Sequence, residues 1–189
     1  MTAKEYQEAI RKLEWDDLLQ IWRHRNESPN IEKWGKGKFF EYAILRAFEL
    51  EGAEVRYPYN VPTPNAIKGN TIVEQIDGVI YVDGLTILAE SKDYQANVDI
   101  EPLAKLQVRL IRRPSPVIGC LFCASDFTWP TQVLIETLMP YTILLWTNDD
   151  IEYCLQNKSF VKGLKMKYRG VVEDGNHCLA LSTYAQINQ

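Results

Sequence analysis

Gln75-Ile-Asp77-Gly-Val-Ile-Tyr-Val-Asp83-Gly84-Leu-Thr-Ile-Leu-Ala-Glu90-Ser-Lys92 is the stretch on which the fold turns. Asp-Gly between two apolar runs is a strong signal for a two-residue hairpin turn, because both central residues must take positive φ. Val73 to Val82 therefore reads as one strand and Leu85 to Ser91 as the returning strand. Folding the chain at Asp83-Gly84 sets residue 77 opposite residue 90. Opposed residues of an antiparallel pair have Cβ atoms about 4.5–5.5 Å apart on one face. Lys92, two residues beyond Glu90, shares that face by strand alternation.

Two carboxylates that close repel unless something positive lies between them, and a divalent cation is the natural partner. Mg²⁺, with Mn²⁺ as a substitute, takes oxygen ligands and keeps positions for water and phosphate. Asp77 and Glu90 would supply oxygens, together with the backbone carbonyl of Ser91. Lys92 would orient or deprotonate the attacking water, or steady the charge on phosphorus. The plainer alternative is a solvated hairpin edge. Ile76, Val79, Ile80, Ile87, Leu88 and Ala89 point instead to a buried hairpin, where an unpaired carboxylate is costly.

Upstream, residues 3–27 read as one helix, since Tyr6, Ile10, Leu13, Leu18 and Trp22 recur at near-helical spacing. Residues 1–30 are read as a helical N-terminal extension and 31–189 as a single domain. A second helix is expected over 37–51, with Phe40, Ala43, Ile44, Ala47 and Phe48 on its apolar face and Gly52 as its stop. A short strand follows near residues 53–59, then a loop over 60–70 that holds Pro62, Pro64 and Gly69.

Downstream, Asp99 looks like the cap of a helix running to Arg113, with Pro102 in its first turn. Strands are expected over 116–124 and 141–146, and helices over 129–138 and 150–157, the last capped by Asn148 or Asp149. The tail holds a basic amphipathic segment and a candidate strand at 169–173. The order implies an α/β fold with a mixed sheet flanked by helices, antiparallel at the hairpin and parallel in the later strand–helix–strand unit.

Net charge is −4, so any nucleic-acid affinity must come from local positive charge. A hydrophobic share of 46% against 24% charged residues excludes a disordered chain. No apolar run approaches the roughly 18 residues that span a bilayer, and no signal-type segment opens the chain, so the expected location is the cytoplasm with cysteines reduced.

The central motif resembles that of the PD-(D/E)XK nuclease superfamily. Gln75-Ile-Asp77-Gly-Val-Ile and Ile87-Leu-Ala-Glu90-Ser-Lys92 carry the resemblance, and Gly37-Lys-Phe-Phe-Glu41-Tyr matches the glutamate on the preceding helix. Val117 to Ala124, Ser125-Asp-Phe-Thr128, Ile143-Leu-Leu-Trp146 and Asn148-Asp-Asp-Ile-Glu look most like the type IV, Mrr-like restriction endonucleases. The resemblance covers residues 35–157. Ile76 stands where the family name has proline, and Glu90 replaces the glutamine typical of the Mrr-like branch. It implies a restriction endonuclease-like core, with Asp77 and Glu90 as metal ligands, Lys92 as catalytic lysine, Glu41 as an auxiliary ligand and Gln107 as an accessory polar residue. The implied activity is Mg²⁺-dependent hydrolysis of nucleic acid, DNA before RNA. An inactive module that binds nucleic acid or a protein partner is the alternative, and an α/β domain whose acidic hairpin is incidental is a third.

Gly35-Lys36-Gly37-Lys38 opens a helix and offers a phosphate site, and Lys105, Arg109, Arg112 and Arg113 share a helix face that would meet a nucleic-acid backbone. Lys158, Lys162, Lys165, Lys167 and Arg169 form a second basic run. Cys120 and Cys123 would point to opposite faces of a strand, which argues against zinc, and the only two histidines, His24 and His177, lie outside any metal-binding spacing. Cutting both strands of a duplex needs two sites, and Trp15 and Trp22 would supply a homodimer interface.

Overall fold

The structure is a computed structural model, and it describes residues 1–25, 34–35, 37–62, 72–138 and 142–183. Lys36 lies outside the described residues. Two helices open the chain where one was expected, α1 (Ala3–Ile10) and α2 (Trp15–Arg23). Thr2 starts α1 by accepting the Glu5 N–H, while the Glu5 carboxylate accepts the Thr2 N–H at 2.6 Å. The Lys12 and Leu13 amides close tight turns onto Ala9 and Ile10, which ends that helix. Asp17 accepts the Glu14 N–H at 2.9 Å and starts the next. Ile10, Leu18 and Trp22 are all buried in the main core.

Helix α3 (Lys38–Leu50) follows, then β1 (Glu54–Arg56) and β2 (Tyr59–Pro62). The expected loop over 60–70 thus begins inside a strand. The expected strand over 73–82 divides at Asp77 into β3 (Ile72–Ile76) and β4 (Gly78–Val82), and β5 (Leu85–Lys92) returns. The division has a physical cause: β3 pairs with β2 in a separate two-stranded ribbon, whereas β4 pairs with β1 and β5. One continuous strand cannot serve both sheets without a break between them. The hairpin register is as expected, with Val82 opposite Leu85 and Gly78 opposite Ala89, so the ladder runs up to the 77/90 position.

Asp99 caps α4 (Ile100–Ile111) by accepting the Glu101 N–H at 3.1 Å. Strand β6 (Val117–Cys123), helix α5 (Trp129–Leu138) and strand β7 (Ile143–Trp146) complete a five-stranded sheet in the order β1-β4-β5-β6-β7. The β5–β6 and β6–β7 pairs are parallel. The fold is therefore mixed α/β, with helices on both faces. Helix α6 (Asn148–Asn157) is capped by Thr147, one residue before the expected cap, because Thr147 and Asp150 satisfy each other's backbone N–H groups. Helix α7 (Phe160–Asp174) replaces the expected strand at 169–173. Its buried positions, Phe160, Gly163, Leu164, Lys167 and Gly170, recur at three- and four-residue intervals, which is helical spacing.

Strand alternation divides the apolar residues between two cores. Ile80, Ile87, Ala89, Cys120, Phe122, Leu144 and Trp146 face α3 and α7, while Val79, Leu88, Leu121, Cys123, Ile143 and Leu145 face α4. Trp146 stacks on Phe160 at 5.9 Å in the first core. Cys120 and Cys123 point into different cores, and burial pushes the Cys120 thiol up to about 12. Among the described residues no helix is long and apolar enough to cross a membrane.

Gly78 fixes how closely α3 approaches the hairpin. A Cβ there would meet Leu45 Cδ2 at 2.6 Å and its Cγ at 3.1 Å. Gly78→Ala is expected to cost about 1–3 kcal/mol through overpacking, read as a lower urea midpoint with an unchanged slope. A loss below about 0.5 kcal/mol would mean that Leu45 can turn aside freely.

Candidate active site

Asp77 stands at the junction where the chain passes from the ribbon to the main sheet. Its Oδ2 accepts the Ser91 N–H at 2.9 Å, which ties it to the β5 position beside Glu90. Asp77 and Glu90 are 9% and 3% exposed. Lys92, on the same face as Glu90, donates from Nζ to Glu90 Oε1 at 2.6 Å. Arg109 of α4 donates to the other oxygen, Oε2. Both oxygens of Glu90 thus face a cation. From the opposite layer, Glu41 on α3 accepts from Lys38 Nζ at 2.6 Å.

Burial dominates the electrostatics of the site. Burial raises the Asp77 carboxyl above its ordinary value, and the Glu41 charge raises it further, against the Ser91 N–H and Lys92, which lower it. Burial likewise raises Glu90, with the Asp77 charge adding to it. Burial raises Glu41 too, while its Lys38 partner pulls the other way. Burial alone would depress Lys92, but Glu90 and Asp77 outweigh it and hold the ammonium protonated. A lysine held so firmly in its charged form suits orienting a water or meeting charge on a phosphate better than accepting a proton.

Among the described residues no group of three or more His, Cys, Asp or Glu side chains is gathered to hold a metal ion. Mg²⁺ is commonly held by only one or two carboxylates with water and substrate oxygens completing its shell. Two desolvated carboxylates, with the Asp77 charge raising the proton affinity of Glu90 and the Glu41 charge that of Asp77, are a donor set that fits such an ion.

Glu74 of β3 was not anticipated. It is 8% exposed, and Arg113 Nη2 donates to its Oε2 at 2.9 Å. Arg112 Nη2 and Arg109 Nε lie 3.2 and 3.3 Å from its Oε1, close enough for charge pairing but without hydrogen-bond alignment. Arg109 and Arg113 therefore turn toward this buried carboxylate on the neighbouring ribbon, while Arg112 pairs with it from an exposed position. The only sequence signal was the acidic residue three positions before Asp77. Lys105 pairs with Glu101 on the exposed side of α4, yet also borders a small cavity shared with Lys92 and Tyr94. Gln107 is half-buried and makes no hydrogen bond to Asp77, Glu90 or Lys92.

The second basic run is dispersed: Lys158 pairs with Asp16, Lys165 with Asp83 and Arg169 with Glu173, while Lys167 is buried. His24 and His177 bond to the carbonyls of Gln20 and Ile143, far from the carboxylates in the fold's connectivity. Trp22 is buried in the chain's own core and Trp15 stacks on Phe160, so the expected dimer surface at Trp22 is already filled.

The chain matches no protein-family profile and no curated protein. Among solved structures it is similar to the MspJI restriction endonuclease in complex with an oligonucleotide, at 16% identity and a TM-score of 0.45, covering 86% of this chain and 36% of that one. It is similar to the DNA modification-dependent restriction endonuclease AspBHI at 14% identity and a TM-score of 0.42, covering 91% and 41%. A protein of unknown function, AF1548, is similar at 18% identity and a TM-score of 0.44, covering 57% of each. The chain spans less than two thirds of the length of each of these structures.

Proposed function

We propose that this chain is a divalent-metal-dependent endonuclease of the PD-(D/E)XK, restriction endonuclease-like type, hydrolysing phosphodiester bonds of DNA. The observation that carries the reading is the buried Asp77–Glu90 pair across the hairpin, with Lys92 bonded to Glu90. Asp77 and Glu90 would hold Mg²⁺ or Mn²⁺ with the Ser91 carbonyl, and Glu41 would hold a metal-bound water. The metal would polarise the scissile phosphate and make water a stronger nucleophile. Lys92 would place its ammonium against that water or the phosphate oxygens. Arg109, bonded to Glu90 and adjacent to Glu74, would rebalance charge as the cation and phosphate enter.

The second reading is a module that binds DNA without cutting. The engagement of both Glu90 oxygens by Lys92 and Arg109 favours it, since the carboxylate is already neutralised. Metal addition separates the two. A ligand at one hundred times its Kd stabilises by about 2.7 kcal/mol, which raises Tm by roughly 5–10 °C in a chain of this size. Mg²⁺ or Mn²⁺ should produce that rise in wild type together with cleavage of plasmid DNA. A rise without cleavage of any DNA form supports the binding module, and no rise with either ion, with DNA present, removes the metal site.

A further inference from the structure

Two adjoining clefts lie between α1, α3 and the corner where β1 turns into β2. The larger, of about 650 Å³, is bordered by Lys4, Glu54, Arg56 and Tyr81. The smaller, of about 220 Å³, is bordered by Tyr6, Lys38, Tyr59 and Gln75. Ala3, Tyr42 and Pro58 border both, so the two form one groove.

Its chemistry differs from that of the chain as a whole. Lys4, Lys38 and Arg56 line it with Glu54 as its one lining carboxylate, Lys38 being paired with Glu41 behind it, although the chain carries a net charge of −4. Lys4 is bound only by a long contact to Glu8, 3.8 Å on the exposed face of α1. Aromatic rings alternate with these cations. Tyr81 is 42% exposed, and the Arg56 guanidinium lies 3.5 Å over the Tyr59 ring. At its inner end the groove reaches Lys38, whose ammonium holds Glu41 beside the Asp77–Glu90 pair. Basic side chains interleaved with aromatic faces are what a single nucleic-acid strand needs: phosphates meet cations, and unstacked bases lie on rings. A duplex keeps its bases stacked inside and cannot use the rings in this way. An added peptide strand would find little ladder here, since β1 has only three residues.

We propose that this groove binds a single-stranded segment of the DNA substrate, with phosphates against Lys4 and Arg56 and a base against Tyr81. The inference rests on the nuclease reading of the adjacent carboxylates and names the form in which their substrate is held.

The test is fluorescence anisotropy of the full chain with labelled oligothymidylate and a duplex of equal length, in EDTA so that binding is read without cleavage. Wild type should bind the single strand more tightly than the duplex. Tyr81→Ala and Arg56→Gln should each weaken single-strand binding by about tenfold, and Arg56→Gln should make the salt dependence shallower by about 0.7 in log–log slope. Lys4→Gln, on an exposed helix face, should weaken binding in the same direction without touching the fold, and thermal melts of all three variants identify any that unfold. Folded variants that bind like wild type overturn the groove, while metal-dependent cleavage would still uphold the nuclease reading. Groove-dependent binding with no cleavage of any DNA in Mg²⁺ or Mn²⁺ upholds the groove and removes the nuclease. Wild type that prefers the duplex, or binds no single strand, overturns the inference.

Discussion

Asp77→Asn is expected to reduce metal-dependent DNA cleavage by about a thousandfold or more while raising the unfolding midpoint of the metal-free protein. The loss follows from removing a metal ligand and its charge. The gain follows from burial: Asp77 is nearly enclosed, and desolvation and the Glu41 charge both penalise its ionised form. Asparagine keeps an oxygen to accept the Ser91 N–H and removes the charge. Glu90→Gln should abolish cleavage equally but raise the midpoint less, since burial and the Asp77 charge penalise its ionised form too while Lys92 and Arg109 would lose the carboxylate between them. A larger gain from Asp77→Asn than from Glu90→Gln is the signature of this arrangement. If both variants destabilise alike, the excess of negative charge inferred at Asp77 is absent.

The same carboxylates set a pH dependence. Asp77, Glu90 and Glu41 all bind protons more tightly folded than their ordinary values of 3.8, 4.5 and 4.5. Between the unfolded and the raised folded pKa the native state holds more protons, so stability falls as pH rises through that window. This contribution favours the fold below the unfolded values and is lost once pH exceeds the folded ones. Asp77→Asn should flatten that fall in metal-free protein, and added Mg²⁺ should offset it in wild type. Urea unfolding across pH 4 to 8, on the order of one point per half unit, measures both.

Lys167→Met is the largest expected stability loss, about 3–5 kcal/mol. Lys167 and Asp150 are 1% and 3% exposed, and their charges pair at 2.8 Å. Lys167 also donates to the Leu179 carbonyl at 2.6 Å, and Asp150 accepts the Leu181 N–H at 2.9 Å. One network therefore fastens α7, the start of α6 and the segment after α7. Methionine would fill the space but leave the buried Asp150 without its cation. Given the 5–15 kcal/mol typical of a whole domain, that loss would bring the fold near its limit. Adding Asp150→Asn to Lys167→Met should restore part of it. A single variant losing less than about 1 kcal/mol would show that water reaches Asp150 and takes over its solvation.

The sequence alone was most informative where structure is local. Asp83-Gly84 set the hairpin register by turn geometry, and that register brought Asp77 to the level of Glu90 with Lys92 on Glu90's face. Asp99 marked its helix because a cap acts within two or three residues. The break at Asp77 was not legible, because it depends on β3 choosing β2 as a partner, and Tyr59–Pro62 carries little strand signal of its own. The helix at 160–174 was obscured by lysines and glycines whose places on the buried face only the packing reveals.

Charge pairing was the least legible part. Arg109, Arg112 and Arg113 share a face of α4 in the sequence, but whether that face meets solvent depends on where the ribbon sets Glu74. Lys167 looked like one member of a basic run until the fold buried it against Asp150. The sequence by itself determined the hairpin register, the level of Asp77 with Glu90 and the face of Lys92, since each follows from turn chemistry and side-chain alternation over a few residues. The tertiary structure decided which cations neutralise which carboxylates and where basic side chains gather beside aromatic rings. Coulomb interaction and desolvation depend on distance and burial in space, and neither is set by spacing along the chain.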